Sequence, residues 1–343
     1  MTADHGHFQE GRSPVSATPL VLPAQPNLNW LKNRAKEKLQ QFRAVQPTAK
    51  LAQAQLAIAR EYGFPSWKKL KDRVDHLAAE AALSPEKPAI SEDSIKSFDD
   101  PLVVAAVEAI HGGNIEALKR LLAENPELAT IRLGRATSTN PREMSLLHVA
   151  TDWPGHYPNG AETVAVLVAA GADVNATFEG HHTETPLHWA ASSDDIAVLD
   201  ALLDRGADIE APGAVIGGGT PLADAAAFAQ WKAAHRLVER GAKMSLWEAA
   251  TLGLLDRVEG HFAGVPLQPW SPSGRWPGDA CPDEVTLAFW CACHGGQQEV
   301  AEYLLNRGSN INWLGYDNLT PLGAARRAGA NVLVAWLIHR GAR

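Results

Sequence analysis

The sequence predicts a mainly α-helical protein: a solenoid of about seven irregular helical repeats with short β-hairpin tips, preceded by a small three-helix module. One observation predicts the solenoid. A Thr-Pro-Leu segment, followed by a leucine pair and a Gly-Ala ending, recurs along the later part of the 343-residue chain, and such periodic self-similarity is the signature of repeat architectures. A second observation predicts the module, because residues 27–83 contain three helical stretches separated by breaks.

The clearest repeat runs from Thr185 to Asp208 and reads T-P-L-H-W-A-A, then a leucine pair, then G-A-D. Further copies begin at Thr220, Leu287 and Thr320, and weaker ones begin near residues 104, 145 and 245. This pattern resembles the ankyrin repeat. The resemblance implies an ankyrin repeat domain over residues 101–343, and it implies a protein partner bound at the concave face.

Local physical chemistry agrees with a pair of helices in each repeat. Proline in the second position suits the first turn of a helix, where its missing N–H is not needed. Val198, Leu199, Leu202 and Leu203 follow three-and-four spacing, so one face of the second helix is predicted to be buried against a neighbour. Gly206 comes just after that helix, where glycine can adopt the left-handed conformation that ends it.

The spacing between repeats is irregular. It is 33 residues from Leu287 to Thr320 but 40 from Ser145 to Thr185, and the excess lies in a Pro- and Gly-rich turn at residues 151–160. The hairpin between residues 220 and 244 is missing, and a long connection spans residues 264–283. We therefore predict that the array bends near residues 240–285.

The N-terminal part is predicted to be a helical module over residues 25–83, with helices at Asn27–Arg43, Thr48–Tyr62 and Ser66–Leu83. The segment Ile58–Trp67 resembles a small helical module found ahead of ankyrin arrays in bacterial proteins, which implies a protein of bacterial type. Residues 1–24 are predicted to be a mobile N-terminus, and residues 84–100, rich in Ser, Pro, Glu and Asp, to be a linker.

Composition excludes several classes of protein. The net charge of −8 argues against a nucleic-acid-binding role for the whole chain, although residues 31–80 carry eleven Lys and Arg against five Asp and Glu. No apolar run is long enough to span a bilayer, and the N-terminus lacks the apolar region of a signal peptide. Three cysteines cannot form a disulfide framework. We therefore expect a cytoplasmic protein with no membrane association and little prospect of binding nucleic acid.

The sequence contains no catalytic or cofactor motif, and none of the phosphate-loop, dinucleotide, zinc-protease or esterase patterns occurs. We therefore expect no cofactor. Cys291, Cys293 and His294 lie close in sequence, but two cysteines two residues apart on a helix point to different sides. No metal site is predicted.

Carrying the ankyrin pattern over residue by residue implies an exposed row on the concave face, formed by the tips and by the residues after each Ala-Ala pair. The predicted partner- or ligand-binding residues are Asp152, Trp153, His181, His182, Glu184, Ser192, Ser193, Phe228, His294, Tyr316 and Asp317. His148 and His188 occupy the fourth position of T-P-L-H, and the resemblance implies that they hydrogen-bond neighbouring repeats.

Two alternatives remain open at this point. Asp152, His156, His181 and His182 could form an enzyme site of unknown reaction class for a small polar substrate, because a histidine beside a carboxylate suits acid–base chemistry near neutral pH. The chain could also be an architectural subunit of an oligomer. A binding module is the main prediction, and a small-molecule ligand is a further option for the same face.

Overall fold

The computed structural model describes residues 28–83, 95–134, 143–180, 182–216, 218–269 and 282–343. The N-terminus predicted to be mobile and residues 84–94 of the predicted linker lie outside the described residues. The chain separates into two compact units, residues 1–84 and 85–343, and each is described by itself.

The first unit contains three helices, α1 (Leu28–Val45), α2 (Leu51–Glu61) and α3 (Trp67–Leu83). Each lies within a few residues of its predicted bounds. Leu31, Ile58 and Leu70 are buried and pack in one apolar cluster. Ser66 caps α3 as predicted, since its Oγ accepts a hydrogen bond from the Lys69 amide at 3.3 Å.

The second unit is a succession of antiparallel helix pairs. The pairs found in its described residues are α4 (Pro101–His111) with α5 (Ile115–Glu124), α6 (Leu146–Thr151) with α7 (Gly160–Ala169), α8 (Pro186–Ser192) with α9 (Ile196–Asp204), α10 (Pro221–Ala227) with α11 (Trp231–Glu239), α12 (Leu246–Thr251) with α13 (Leu255–Phe262), α14 (Glu284–His294) with α15 (Gln298–Leu305), and α16 (Pro321–Arg327) with α17 (Asn331–His339). The mainly helical fold class is therefore confirmed.

Stacking of these pairs buries the apolar stripes that the sequence pattern indicated. First helices pack on first helices, as α8 does on α10 and α12 on α14, and second helices follow the same rule where α7 packs on α9. Leu187, Leu199 and Leu202 are fully buried in a single core that runs through the second unit. A single pair could not bury these residues alone, so stability depends on neighbouring pairs.

Two histidines bridge neighbouring repeats. His148 donates from Nε2 to the carbonyl oxygen of Glu184 at 3.1 Å, and its Nδ1 accepts from the Ser145 amide at 3.3 Å. His188 contacts the carbonyl oxygen of Gly219 with Nε2 at 3.4 Å. The predicted structural role of both side chains is confirmed.

The β-structure differs from the prediction. The predicted hairpin tips are reduced, among the described residues, to the antiparallel bridges Leu133–Met144 and Glu143–Glu179. The strand β1 (Ile95–Lys96) pairs in parallel with β2 (Arg132–Leu133). The C-terminal end of the segment predicted to be a linker is therefore hydrogen-bonded to the repeats, because its backbone completes the edge that β2 presents.

The predicted turn at residues 151–160 connects α6 to α7 and is tied to both neighbouring pairs. The Asn159 side-chain amide donates to the Gly113 carbonyl oxygen at 2.9 Å, and the His156 amide donates to Asp195 Oδ2 at 2.8 Å. Further along, α12 packs on α14 and contacts α10, so the stack continues through this region. The bend near residues 240–285 stays a prediction. None of the described helices combines the length and the apolar character that crossing a membrane requires.

Candidate functional site

The first helix of each pair, with the segment that precedes it, forms one surface of the second unit, which we call the first-helix face. The predicted binding residues lie in two separate groups with respect to this face. One group surrounds the turn between α6 and α7, and the other lines a pocket between α10 and α16.

In the first group, Asp152 and Trp153 are exposed, and the side chain of Trp153 is 80% accessible. The contacts of Asp152 and His156 lead to different neighbours. His156 donates from Nε2 to the Ser193 carbonyl oxygen at 2.9 Å, whereas Asp152 Oδ1 accepts from the Trp153 amide at 2.8 Å. Partial desolvation raises the pKa of Asp152. The described contacts therefore give the predicted acid–base pairing of these two residues no support.

The remaining members of the first group differ from one another. His181 lies outside the described residues, and His182 is exposed. Ser192 and Ser193 are half-buried. Ser193 contributes its backbone to this group, since its carbonyl oxygen accepts a hydrogen bond from His156.

The prediction that Glu184 is exposed on the concave face is wrong. The residue is only 8% accessible, and the fully buried Asp224 of α10 lies against its carboxyl group. Burial raises the pKa of both carboxyl groups, and the negative charge of Glu184 raises the pKa of Asp224 further, to about 8. Glu184 is therefore part of a carboxyl pair between repeats.

In the second group, Phe228, His294, Tyr316 and Asp317 line one pocket of about 650 Å³. None of these residues is near another in sequence except the last two. The pocket exists because α10 contributes only small side chains to this part of the face, Ala223 and Ala227, whereas α12 and α14 contribute tryptophans. A hollow of this size is typical of ligand-binding sites.

Aromatic side chains form the wall of the pocket near α14. The Trp290 ring lies 5.5 Å from the Tyr316 ring, edge to face, and 5.7 Å from the His294 ring, stacked. Trp290 is fixed by a 2.8 Å hydrogen bond from Nε1 to the Leu319 carbonyl oxygen. Gly315 lies directly against it, and a Cβ there would come within 2.6 Å of Nε1. The wall is thus held rigidly by the segment preceding α16.

Carboxylates line the pocket from α12 and from the connection after α9. Glu248 is 6% accessible, and its Oε2 accepts from the Ser245 amide at 2.6 Å and from the Ser245 hydroxyl at 2.9 Å. Burial raises the pKa of Glu248 to about 7. Burial likewise raises the pKa of Glu210. These two groups therefore take up a proton more readily than ordinary carboxylates.

Basic groups are also present at the pocket. Arg327 is ion-paired with Asp317, and both side chains lie at the edge of the pocket. Lys243 is exposed, and its backbone amide donates to Glu210 Oε1 at 2.8 Å. Burial, and after it the charge of Arg327, lowers the pKa of His294, so this imidazole is neutral at physiological pH.

The sequence prediction missed several residues that line the pocket: Glu210, Lys243, Trp247, Glu248 and Arg327. A usable signal is the position of Glu248, which lies seven residues before Leu255, the first residue of the second helix of its pair. Asp224 and Trp189 occupy that same position in the two preceding repeats. Aligning the repeats on the start of the second helix, instead of on Thr-Pro-Leu, would have drawn attention to this row.

The described residues contain no group of three or more His, Cys, Asp or Glu side chains arranged to hold a metal ion. Cys291 and Cys293 are buried free thiols. Burial raises the pKa of the Cys291 thiol to about 12 and that of Cys293 still further. Neither thiol is therefore a reactive thiolate at neutral pH.

Comparison with known proteins gives consistent results. A family model for three copies of the ankyrin repeat matches residues 158–246, and a single-repeat model matches residues 287–315. An ankyrin repeat and KH domain-containing protein of Caenorhabditis briggsae is 26% identical over 264 residues, which are 74% of this chain and 9% of that protein. The ankyrin repeat protein FPV014 of fowlpox virus is 30% identical over 139 residues, which are 40% of this chain and 28% of that protein.

Among solved structures, the human ASB11 ankyrin repeat domain is similar with a TM-score of 0.40 at 20% identity, covering 69% of this chain and 97% of that domain. The chain spans less than a third of the length of either curated relative. Those relatives come from a eukaryote and a poxvirus, and the bacterial type stays a prediction. Residues 158–246 and 287–315 are ankyrin repeats, and the chain is an ankyrin repeat protein.

Proposed function

We propose that this chain binds a protein partner through its first-helix face, which corresponds to the concave face of ankyrin proteins, and that the pocket between α10 and α16 is the main anchoring point. Ankyrin repeats are generally protein-interaction modules. The single observation that carries the proposal is that four of the predicted binding residues line this one pocket together with Trp247 and Trp290. Trp, Tyr and Arg dominate the binding energy of protein interfaces.

Accessibility supports the same assignment. Phe228 is 43% accessible at the edge of the pocket, and Tyr316 and Trp247 are half-buried. Such side chains can contact a partner without first leaving the core. The enzyme alternative has no comparable observation in its favour, because the contacts of Asp152 and His156 lead to different neighbours. Nothing in the described residues favours the architectural alternative either.

Affinity capture with quantitative mass spectrometry tests this proposal. The tagged chain and a Phe228→Ala/Tyr316→Ala double variant are compared in extracts of cells that express the protein. We expect at least one captured protein to be lost with the double variant and retained with Val332→Ala, a matched change at an exposed site on α17. With the purified partner, each pocket substitution should weaken binding by more than about 1 kcal/mol.

Retention of every captured protein by the double variant would contradict the proposal. A Trp153→Ala variant tests the first group of residues in the same experiment, because its exposed ring lies outside the pocket. Loss of binding with Trp153→Ala alone would move the binding site to the turn between α6 and α7.

We also propose that the chain functions in the cytoplasm. The buried free thiols of Cys291 and Cys293 support a reducing compartment. Fractionation of cells that express the protein checks this proposal, and recovery from an oxidising compartment would contradict it. A helical module at 25–83 and a repeat domain at 101–343 stand as a proposal beside it, while residues 95–96 of the predicted linker at 84–100 pair with the repeats.

A further inference from the structure

We infer that the pocket accepts a basic side chain, lysine or arginine, from the segment of the partner that binds it. This inference rests on the proposed function and deepens it by naming the chemistry of the bound group. Its starting point is the distribution of charge around the pocket. Three carboxylates line it, from Glu210, Glu248 and Asp317, against two basic side chains, from Lys243 and Arg327.

Charge compensation inside the pocket leaves Glu248 of α12 as the carboxylate that most favours a cation. Arg327 is engaged by Asp317 at the edge, so these two charges largely compensate each other. Within the part of the chain that the structure describes, the hydrogen bonds to Glu248 come from Ser245, a neutral residue. Glu210 accepts from the backbone amide of Lys243, and the charge of the Lys243 side chain also acts on it, whereas the charged group that acts on Glu248 is the acidic Glu210. A buried carboxylate with neutral donors gains more from a cationic ligand than a solvated one does.

The apolar part of the wall suits the same ligand. Trp247, Trp290, Tyr316 and Phe228 line the pocket, and aromatic faces attract ammonium and guanidinium groups. The methylene stem of a lysine or arginine packs well on such rings while its charged end reaches a carboxylate. A neutral apolar side chain would instead leave the carboxylate of Glu248 desolvated without a cationic partner, and an acidic side chain would be repelled.

Binding of a cation should be coupled to loss of a proton from Glu248. Burial raises its pKa to about 7 in the free protein, so its protonated form is populated near neutral pH. The charged or titratable groups that face it or share its pocket are Glu210, Lys243, Cys291, His294, Tyr316 and the Asp317–Arg327 pair. Of these, Glu210 opposes ionisation of Glu248, and the protonated thiol of Cys291 stays neutral. A cation stabilises the ionised carboxylate, and affinity therefore rises with pH through this range.

The test uses small probes and the full-length chain. N-acetyl-lysine methylamide and N-acetyl-arginine methylamide are titrated in nuclear magnetic resonance experiments that follow the tryptophan indole signals, with N-acetyl-norleucine methylamide as the neutral probe of matched size. We expect the cationic probes to bind at least about fivefold more tightly than the neutral one. The affinity of the lysine probe should rise about tenfold between pH 6 and pH 8.

Glu248→Gln keeps an oxygen that can accept from Ser245, and it should lower the affinity for the lysine probe at least about fivefold and remove its pH dependence. Glu259→Gln, an exposed change on α13, is the matched control and should behave like the wild type. Equal binding of the neutral and cationic probes, or unchanged cation binding by Glu248→Gln, would overturn the inference. If a partner depends on Phe228 and Tyr316 while no cationic probe binds, only this inference fails and the proposed function stands. If the probes bind but no partner depends on the pocket, the proposed function fails instead.

Discussion

At the scale of single residues, buried titratable groups connect the repeats and make stability depend on pH. His148 and His188 are buried, and desolvation lowers the pKa of His148 to about 3 and that of His188 to about 4. Asp224 and Glu248 are buried carboxyl groups whose pKa is raised by burial. The histidines therefore destabilise the fold as pH falls below their ordinary pKa, and the carboxyl groups destabilise it as pH rises.

His148→Gln isolates one of these contributions. Between its ordinary pKa of about 6.5 and its folded pKa of about 3, the unfolded chain binds a proton that the folded chain does not. The wild type should therefore lose about 2 kcal/mol of unfolding free energy from this group between pH 7 and pH 5, and the variant should not. Urea unfolding at both pH values measures the difference, and His235→Gln, at an exposed position, is the control. Equal pH slopes for His148→Gln and the wild type would contradict the assignment of a neutral imidazole.

At the scale of elements, the turn at residues 152–159 joins three consecutive helix pairs. It reaches back to Gly113 through Asn159 and forward to Asp195 through His156. Asp195 serves two purposes, since its Oδ1 also accepts from the Val198 amide at 3.2 Å and caps α9. These hydrogen bonds hold the inserted residues against the neighbouring helix pairs, so the insertion is an ordered part of the stack.

Asp195→Ala should consequently be more destabilising than the loss of an ordinary helix cap. It removes the cap of α9 and leaves the His156 amide without its acceptor, and we expect a loss of about 2 kcal/mol or more. Asn114→Ala removes only the cap of α5, where Asn114 Oδ1 accepts from the Ala117 amide at 3.0 Å, and should cost about 1 kcal/mol. Chemical denaturation of both variants provides the comparison. Similar losses for the two would mean that the turn contributes nothing through Asp195.

The helices could be predicted from the sequence because each one is encoded locally. Pro186 and Pro221 mark helix starts, and Gly206, with a φ of 94°, marks an end. The environment of Glu184 could not be predicted, because its burial comes from Asp224 and α10, which lie about 40 residues further on. The pocket was missed for a related reason. It is a hollow above Ala223 and Ala227 that becomes a site only beside Trp247 and Trp290, and single-sequence periodicity carries no information about that neighbourhood.

At the scale of the whole molecule, the second unit has one continuous core in which every helix pair depends on its neighbours. The first unit has a separate core around Leu31, Ile58 and Leu70. In such a stack, stability is approximately a sum of repeat and interface contributions. A substitution that weakens the core should therefore destabilise the adjoining helix pairs of the second unit and leave the first unit unchanged.

Leu203→Ala tests this expectation. Leu203 is buried in α9, which packs on α7, α8 and α11, and its truncation should lower the unfolding free energy of the second unit by about 2–5 kcal/mol. Amide hydrogen exchange should show lost protection in α7 to α11 together and none in α1 to α3. Leu70→Ala, an equivalent truncation at a fully buried site of α3, should give the opposite pattern. Loss confined to α9, with its neighbours protected as in the wild type, would mean that the repeats do not stabilise one another through this core.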